Sequence, residues 1–139
     1  MADNSKLFRL QVISPDRIFF DEDADMIEVK TTEGEMGVLK HHIPLTAIVA
    51  PGILKIKNGN EERIAALHEG FIEVLGDKVT ILAESCEWPE EIDINRANEA
   101  KLRAERRLKG AEGVINEARA EMALRKSLIR LEVANKANR

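Results

Sequence analysis

The sequence has few of the residues that usually carry covalent or metal chemistry. Its 139 residues include one cysteine, three histidines, one tryptophan and no tyrosine. A single cysteine excludes an internal disulfide and indicates a reducing compartment. The cysteine and the histidines are also too scattered for the spacing of a conventional zinc site, so the sequence predicts no metal centre.

Signals for membrane insertion, export and nucleotide hydrolysis are missing as well. No apolar run approaches the ~18 residues of a membrane span, and residues 1–8 (MADNSKLF) predict no signal peptide. The net charge of −4 argues against a nucleic-acid partner. Neither a G-x-x-x-x-G-K-[ST] loop nor a G-x-S-x-G elbow occurs, so the sequence lacks the parts of the enzymes that use them.

Composition changes abruptly near Pro89. All four prolines, all five Phe and Trp residues and six of the eight glycines lie in residues 1–89. Residues 1–89 hold 16 acids and 9 bases, whereas residues 90–139 hold 9 acids and 12 bases. We therefore predict two domains, 1–89 and 90–139.

The first domain has the pattern of short β-strands. Phe8, Leu10 and Val12 alternate with polar residues, and similar short runs recur with turns every 8–12 residues. Asn58-Gly59 and Gly76-Asp77 are typical of tight hairpin turns. Eight or nine strands of this kind predict a sandwich or a flattened barrel. The runs are 8–12, 18–20, 26–30, 36–39, 46–49, 53–57, 63–67, 71–75 and 79–83.

The second domain has the pattern of two helices. Asp93 is the predicted N-cap of a helix that runs to about Leu108, and residues 109–113 (KGAEG) interrupt it. A second helix is predicted over 114–133. Because the break is short, an antiparallel helical hairpin is the expected arrangement. The fold class is therefore α+β, an antiparallel β-sandwich followed by an antiparallel two-helix hairpin.

The residues on the helix faces predict the packing partners of the two helices. The first helix has a narrow face of small residues, which lets another helix approach closely. The second helix has two apolar seams, which suggest two packing partners. One partner is the first helix, and the other is either the sandwich or another protein. The small face is Ala97, Ala100, Ala104 and Leu108, and the two seams are Ile115, Ala118, Met122, Ile129 and Val133, and Leu124, Leu128 and Leu131.

Basic residues form a stripe on each helix at offsets of 0, 7 and 11 residues. A charged stripe is usually a solvated face, but two stripes that converge across a hairpin can surround a polyphosphate. The stripes are Arg96, Arg103 and Arg107 on the first helix, and Arg119, Lys126 and Arg130 on the second.

Possible catalytic groups are sparse. No histidine can be placed beside Ser85-Cys86 from the sequence, so Cys86 is interpreted as a small apolar residue at a strand end. His41 and His42 lack a carboxylate at helical spacing. A metal-dependent hydrolase that uses these two residues and His68 stays open as an alternative.

Several motifs, in order along nearly the whole chain, resemble the epsilon-subunit family of bacterial F-type ATP synthases. Residues 33–39 (EGEMGVL), 42–45 (HIPL) and 51–52 (PG) are similar to the family's G-E-x-G-[IV]-L, H-x-P-L and P-G segments. Residues 91–97 (EIDINRA) match [DE]-[IL]-D-x-x-R-A. Residues 68–74 (HEGFIEV) resemble a family segment that usually begins Ser-Gly, and Lys40-His41 stands where Pro-Gly is usual.

This resemblance implies a non-catalytic rotor subunit with a ten-strand sandwich. The sandwich would bind the gamma subunit and sit on the c-ring, at the cytoplasmic face of the cell membrane, so that membrane association comes only through the complex. The helical hairpin would extend into the alpha/beta catalytic head and inhibit ATP hydrolysis. No cofactor is required, but ATP is a possible regulatory ligand of the folded hairpin.

The resemblance also implies functional residues. Glu35 and His42 match the loop that docks on the c-ring. Ile92 and Asp93 match positions that hold adenine, while Arg96, Arg103 and Arg130 match positions around the ribose and phosphates. Lys126 stands where an arginine is typical, which keeps the charge but loses the bidentate fork. The bland alternatives are a loop-bracing role for Glu35 and His42, an N-cap role for Asp93 and surface charge at Arg96.

A rival function is a stand-alone nucleotide-binding regulatory module with the same sandwich and no motor partner. Co-purification with a gamma-like coiled coil would separate the two hypotheses.

Overall fold

A computed structural model describes residues 6–110 and 117–137 of the chain. The chain divides into two compact units, Met1–Glu87 and Trp88–Arg139. Within the described residues, the first unit contains ten strands and the second contains one 3₁₀ turn, Pro89–Glu91, and two helices. The strands are β1 (Phe8–Ser14), β2 (Arg17–Ala24), β3 (Met26–Thr31), β4 (Gly34–Leu39), β5 (Leu45–Val49), β6 (Gly52–Asn58), β7 (Glu61–Leu67), β8 (Gly70–Leu75), β9 (Lys78–Ala83) and β10 (Cys86–Glu87), and the helices are α1 (Ile94–Leu108) and α2 (Glu117–Ala137). The predicted fold class is confirmed.

The strands follow the order β10-β7-β6-β3-β5-β8-β9-β1-β2, and β4 pairs with β3 outside this path. Strand β3 joins the strands β10, β7 and β6 to the strands β5, β8, β9, β1 and β2. Its first residues pair with β6, while Thr31 pairs with Val49 of β5. The sequence predicted an antiparallel sandwich, and every pairing but one is antiparallel. The exception is β1 with β9, which run parallel, as the long stretch of chain between these strands allows.

Alternation along the strands creates the core of the first unit. In β1 the side chains of Phe8, Leu10 and Val12 are buried while Arg9 is exposed, as the period of two requires. The predicted turns are also confirmed, since Asn58 pairs with Glu61 across a two-residue loop in which Gly59 has φ 63°. The largest fully buried side chains include Leu10, Ile27, Leu54, Leu67, Ile72 and Ile81.

The close approach of β8 to β9 depends on Gly70. A Cβ atom at this position would collide with the carbonyl oxygen of Leu82 and lie 2.8 Å from the Cα of Ala83. These are backbone atoms that cannot rotate away. A Cβ at Gly37 would lie 3.5 Å from the flexible end of Met26, an ordinary contact.

We therefore expect Gly70→Ala to lower the free energy of unfolding by about 2 kcal/mol, since overpacking forces the backbone to shift. Gly37→Ala is the matched control and should change it by less than about 1 kcal/mol. Urea unfolding followed by circular dichroism measures both. Equal effects of the two substitutions would contradict this account of Gly70.

Candidate functional site

Helix α1 begins where the sequence predicted. Asp93 is its N-cap, with extended backbone angles and a carboxylate oxygen that accepts a hydrogen bond from the backbone N–H of Arg96 at 3.1 Å. The helix ends before Gly110, whose φ of 73° is easily adopted by glycine. The N-cap prediction is confirmed, and Asp93 therefore has a structural role whether or not it binds a ligand.

Helix α2 extends further than predicted. Its described part runs from Glu117 to Ala137, so the predicted end at Val133 is wrong by four residues. Residues 134–137 (ANKA) contain no glycine or proline to stop the helix. The predicted start and the interruption at 111–113 lie outside the described residues.

Small side chains mark the line along which α1 and α2 pack against each other. Ala97 and Ala104 of α1 are buried seven residues apart, as are Ala120, Ser127 and Ala134 of α2. The Ser127 hydroxyl donates to the carbonyl of Ala123 at 2.8 Å, which satisfies this group locally. Small residues allow close approach but bury little area, so packing between the helices contributes less than a leucine interface would.

The two apolar seams predicted on α2 do not form its most buried line. The small-residue line of α2 belongs to neither seam, and Ile115 lies outside the described residues. Val133 of the first seam is buried, but Ala118 is exposed, and Leu128 of the second seam is 44% exposed. The seams missed this line because they were chosen by hydrophobicity, which favours large side chains over Ala and Ser, whereas close contact between helices favours small side chains.

An open cleft of about 590 Å³ lies along one side of the helical pair. Residues of both helices line it, and the start of α1 meets the end of α2, as in an antiparallel pair. They include Ile94, Asn98 and Lys101 of α1 and Leu128, Leu131 and Asn135 of α2. None of the residues predicted to bind nucleotide lines this cleft.

The predicted nucleotide residues lie on the opposite side of the helical pair. At about 100° per residue, Arg96 and Arg103 are roughly 140–180° around α1 from the cleft residues. The same count places Lys126 and Arg130 roughly 160–200° around α2 from Leu128. The two cationic stripes therefore share one side of the antiparallel pair.

Exposure differs among these residues. Asp93, Arg96 and Arg103 are exposed, whereas Lys126 and Arg130 are half-buried and already contact other groups of the protein. Ile92 is only 8% exposed, and its backbone N–H closes the 3₁₀ turn by donating to the carbonyl of Pro89 at 3.2 Å. Ile92 thus offers little of its side chain to a ligand.

The predicted c-ring residues lie on and just after β4. Within the described part of the chain this strand pairs with β3 alone, so its outer edge is open. Glu35 is exposed on it, and His42 follows in the loop, where the Nδ1–H of its ring donates to the carbonyl of Ile43 at 2.8 Å. Leu39 and Ile43 are 58% and 77% exposed. The segment therefore presents an acid, an imidazole and two apolar side chains.

The unusual Lys40-His41 pair takes a glycine-like turn. His41 has φ 68°, a left-handed conformation that histidine adopts more readily than most residues do. The loop from β4 to β5 therefore turns sharply without a glycine.

A row of apolar side chains crosses the outer face of five strands, although its members are far apart in the sequence. Strand register places Ile48 opposite Phe71, Phe71 opposite Leu82, Leu82 opposite Ile13, and Ile13 opposite Ile18. Four of the five are between 38% and 63% exposed, and Ile13 is half-buried. Alternation put each residue on the solvent side of its strand, but only the strand order shows that they are contiguous. We call these five residues the apolar row.

Charged and polar residues flank the apolar row on the same face. Arg9 donates from Nε to Asp21 at 2.9 Å, and this hydrogen bond lowers the pKa of the Asp21 carboxyl below its usual value. A lowered pKa in the folded state stabilises the fold above the unfolded pKa, and the contribution is lost as the pH falls through the folded value. Both groups are exposed, so salt screens this pair.

The structure does not bring the three histidines together. His68 is fully buried after β7, and its Nε2 lies 3.3 Å from Glu87, whereas His41 and His42 are in the loop after β4. No group of three potential metal ligands occurs in residues 6–110 and 117–137. The backbone N–H of His68 donates to the carbonyl of Ser85 at 3.0 Å, a main-chain neighbour of Ser85-Cys86 that could not be placed from the sequence.

None of the helices in the described ranges combines the length and apolarity that a membrane crossing needs.

Comparison with known proteins identifies relatives along the whole chain. Residues 7–89 match the profile of the ATP synthase delta/epsilon chain β-sandwich domain, and residues 90–135 match the delta/epsilon chain long α-helix domain. The ATP synthase epsilon chain of Caldanaerobacter subterraneus subsp. tengcongensis is 46% identical over 132 residues, which cover 94% of this chain and 96% of the relative. The Halalkalibacterium halodurans epsilon chain is 45% identical over 128 residues, which cover 91% and 96%.

Solved structures show the same arrangement of elements. A chain of the Euglena gracilis mitochondrial ATP synthase, solved as an OSCP/F1/c-ring assembly, has a TM-score of 0.75 at 25% identity, covering 96% of this chain and 82% of that one. A chain of the Tetrahymena thermophila mitochondrial ATP synthase central stalk and c-ring shares the fold, with a TM-score of 0.55 at 16% identity.

Proposed function

Since this chain belongs to the ATP synthase delta/epsilon family and is a non-catalytic subunit of that complex, we propose that it couples the gamma subunit to the c-ring and inhibits ATP hydrolysis through its helical unit. The complex holds it at the cytoplasmic face of the cell membrane. The single observation that carries the coupling role is the apolar row on a rigid sandwich. Hydrophobic surface of this extent marks a protein interface.

The gamma subunit is the partner we assign to the apolar row. A flat face of β-branched, leucine and phenylalanine side chains suits an apolar helical surface, and polar neighbours such as Arg9 and Asp21 can form the rim of such an interface. A stand-alone nucleotide-binding module would leave this row in water. The row therefore favours a motor subunit over the rival function.

We assign c-ring docking to Glu35, His42 and the apolar residues between and beside them. Pairing with β3 and the sharp turn at His41 set the position of these groups, and the open edge of β4 leaves them accessible. A carboxylate and an imidazole can pair with polar loops of a neighbouring subunit, while Leu39 and Ile43 supply apolar contact.

Charge reversal tests this assignment. We expect Glu35→Lys to weaken binding of the chain to detergent-solubilised c-ring about tenfold, because opposite charges at an interface become like charges. Glu33→Lys, two residues away in the exposed turn before β4, should bind within about twofold of the natural chain. Sedimentation or surface binding measures both. Equal weakening by the two variants would point to net charge rather than to Glu35.

ATP is the regulatory ligand that we propose for the side of the helical pair that carries Arg96, Arg103, Lys126 and Arg130. Four cations on one side of an antiparallel pair can surround a triphosphate. The Asp93 carboxylate has acceptor capacity left after capping α1, so it can also accept from an exocyclic amine. The buried Ile92 supports adenine contact only at its edge.

Two substitutions separate the cap from the ligand contact at Asp93. Asp93→Ser keeps an N-cap oxygen and should leave the helical content unchanged, whereas Asp93→Ala should also cost about 1 kcal/mol of helix stability. We expect both variants to weaken ATP binding at least fivefold in calorimetric titration of the full chain, as expected for loss of a hydrogen bond of about 1 kcal/mol. If Asp93→Ser bound ATP as tightly as the natural chain, Asp93 would be a cap alone. Silent heats with the natural chain would remove the nucleotide proposal.

A further inference from the structure

His68 is the one buried side chain whose polar atoms are only half satisfied in the described part of the chain. Its side chain is 0% exposed, and its Nε2 lies 3.3 Å from a carboxylate oxygen of Glu87. A carboxylate only accepts, so Nε2 carries the proton and donates. Its Nδ1 is buried with no hydrogen-bond partner among the described residues. An apolar side chain would avoid this cost, so the contact with Glu87 calls for an explanation.

Glu87 occupies a special place in the chain. It ends β10, the two-residue strand that ends the first unit, and Trp88 begins the helical unit. Strand β10 lies at one end of the sheet, and in the part of the chain that the structure describes it pairs with β7 alone, through Cys86 with Leu67 and Glu87 with Ala66. So short an edge strand has few backbone hydrogen bonds and is the part of the sheet most easily detached.

Further contacts to neighbouring elements hold β10. The backbone N–H of His68 donates to Ser85 at 3.0 Å, and an Nη2 of Arg17 donates to the carbonyl of Cys86 at 3.2 Å. The His68 imidazole adds the bond to Glu87. Both bonds from His68 therefore reach the segment just before the helical unit.

We propose that the bond from His68 to Glu87 is a clasp that fixes β10, the root of the helical unit, and that its strength sets how often this root detaches. His68 is thus a positioning residue for the posture of the helical unit. The clasp itself stands on the sandwich alone, while its regulatory consequence rests on the proposed function. A merely structural histidine would stabilise the whole sandwich, whereas a clasp acts locally.

Amide hydrogen exchange of the full chain tests the clasp. We expect Glu87→Ala to speed exchange of the His68 amide about tenfold, as the loss of a charge-assisted hydrogen bond implies, while Ile72 and Ile81 change by less than about twofold. His68→Leu should have the same effect as Glu87→Ala. In His68→Gln, which retains an N–H donor, the Glu87 amide should exchange at nearly the rate of the natural chain. Glu61→Ala, at the far end of β7, is the matched control and should change nothing. Equal acceleration at Ile81, or none near β10, would overturn the clasp.

A double-substitution cycle isolates the bond, because Glu87 also contacts other groups of the protein. If the clasp exists, Glu87→Ala and His68→Leu together should speed exchange at Cys86 no more than either alone. Additive effects would overturn the proposal.

The assembled motor separates this inference from the proposed function. Removal of residues 88–139 tests whether the helical unit inhibits hydrolysis at all. If removal raises hydrolysis and Glu87→Ala shifts it too, with His68→Gln rescuing the shift seen in His68→Leu, the regulatory clasp is supported. If removal raises hydrolysis but Glu87→Ala leaves it unchanged, the inference fails and the proposed function stands.

Discussion

A chain that ends at Glu87 should release the assembled motor from inhibition, so that its rate of ATP hydrolysis rises several-fold at ATP concentrations too low to occupy the helical unit. The shortened chain keeps all ten strands, and the fully buried side chains such as Leu10, Leu54 and Ile81 belong to that unit. We therefore expect it to fold, to bind the gamma subunit and to couple rotation, while it lacks the helices that reach the catalytic head.

The physical basis is the modest stability of the helical pair. Helices of 15 residues are marginal in water by themselves, and the small-residue line between α1 and α2 buries little area. A ligand at about 100 times its dissociation constant adds roughly 2.7 kcal/mol, which is enough to choose between postures of similar free energy. If hydrolysis by the motor with the shortened chain equalled that with the full chain, the inhibitory role would be wrong.

Phe71→Asp should weaken binding of the gamma subunit by about 3 kcal/mol, which is roughly a hundredfold or more. Phe71 lies within the apolar row, with Ile48 on one side and Leu82 on the other. An aspartate there would be desolvated against an apolar partner surface without a counter-charge. Because the position is 42% exposed, the sandwich itself should remain folded.

Asn60→Asp provides the matched control for this substitution. It adds the same negative charge at the exposed turn between β6 and β7, outside the apolar row. Binding measured by calorimetry with purified gamma subunit should stay within about twofold of the natural chain. If Phe71→Asp bound gamma as tightly as this control, the apolar row would not be the docking face.

Much of the fold could be predicted from the sequence, because local patterns decide it. Period-two alternation and turns such as Asn58-Gly59 locate nine strands, and Asp93 with Gly110 brackets α1. Strand β10 has two residues and therefore no pattern of its own, and ten strands were expected only by resemblance. The parallel pairing of β1 with β9 depends on contacts that are distant in sequence, which periodicity does not report.

The functional surfaces were harder to predict than the fold. The cationic stripes could be found from helical spacing, and the antiparallel pair places them on one side. The apolar row could not, because Ile48 and Ile18 are neighbours only through the strand order. The low exposure of Ile92 also could not be predicted, since a hydrophobic residue before an N-cap can either contact a ligand or pack inside the protein.

The central claim is that the helical unit has two postures of similar free energy. The most direct test is single-molecule fluorescence transfer in the assembled motor, with Cys86→Ala and labels at Glu61→Cys on the sandwich and Lys136→Cys on α2. The account predicts two distance populations whose ratio shifts when millimolar ATP is added. A single distance that ATP leaves unchanged would contradict it.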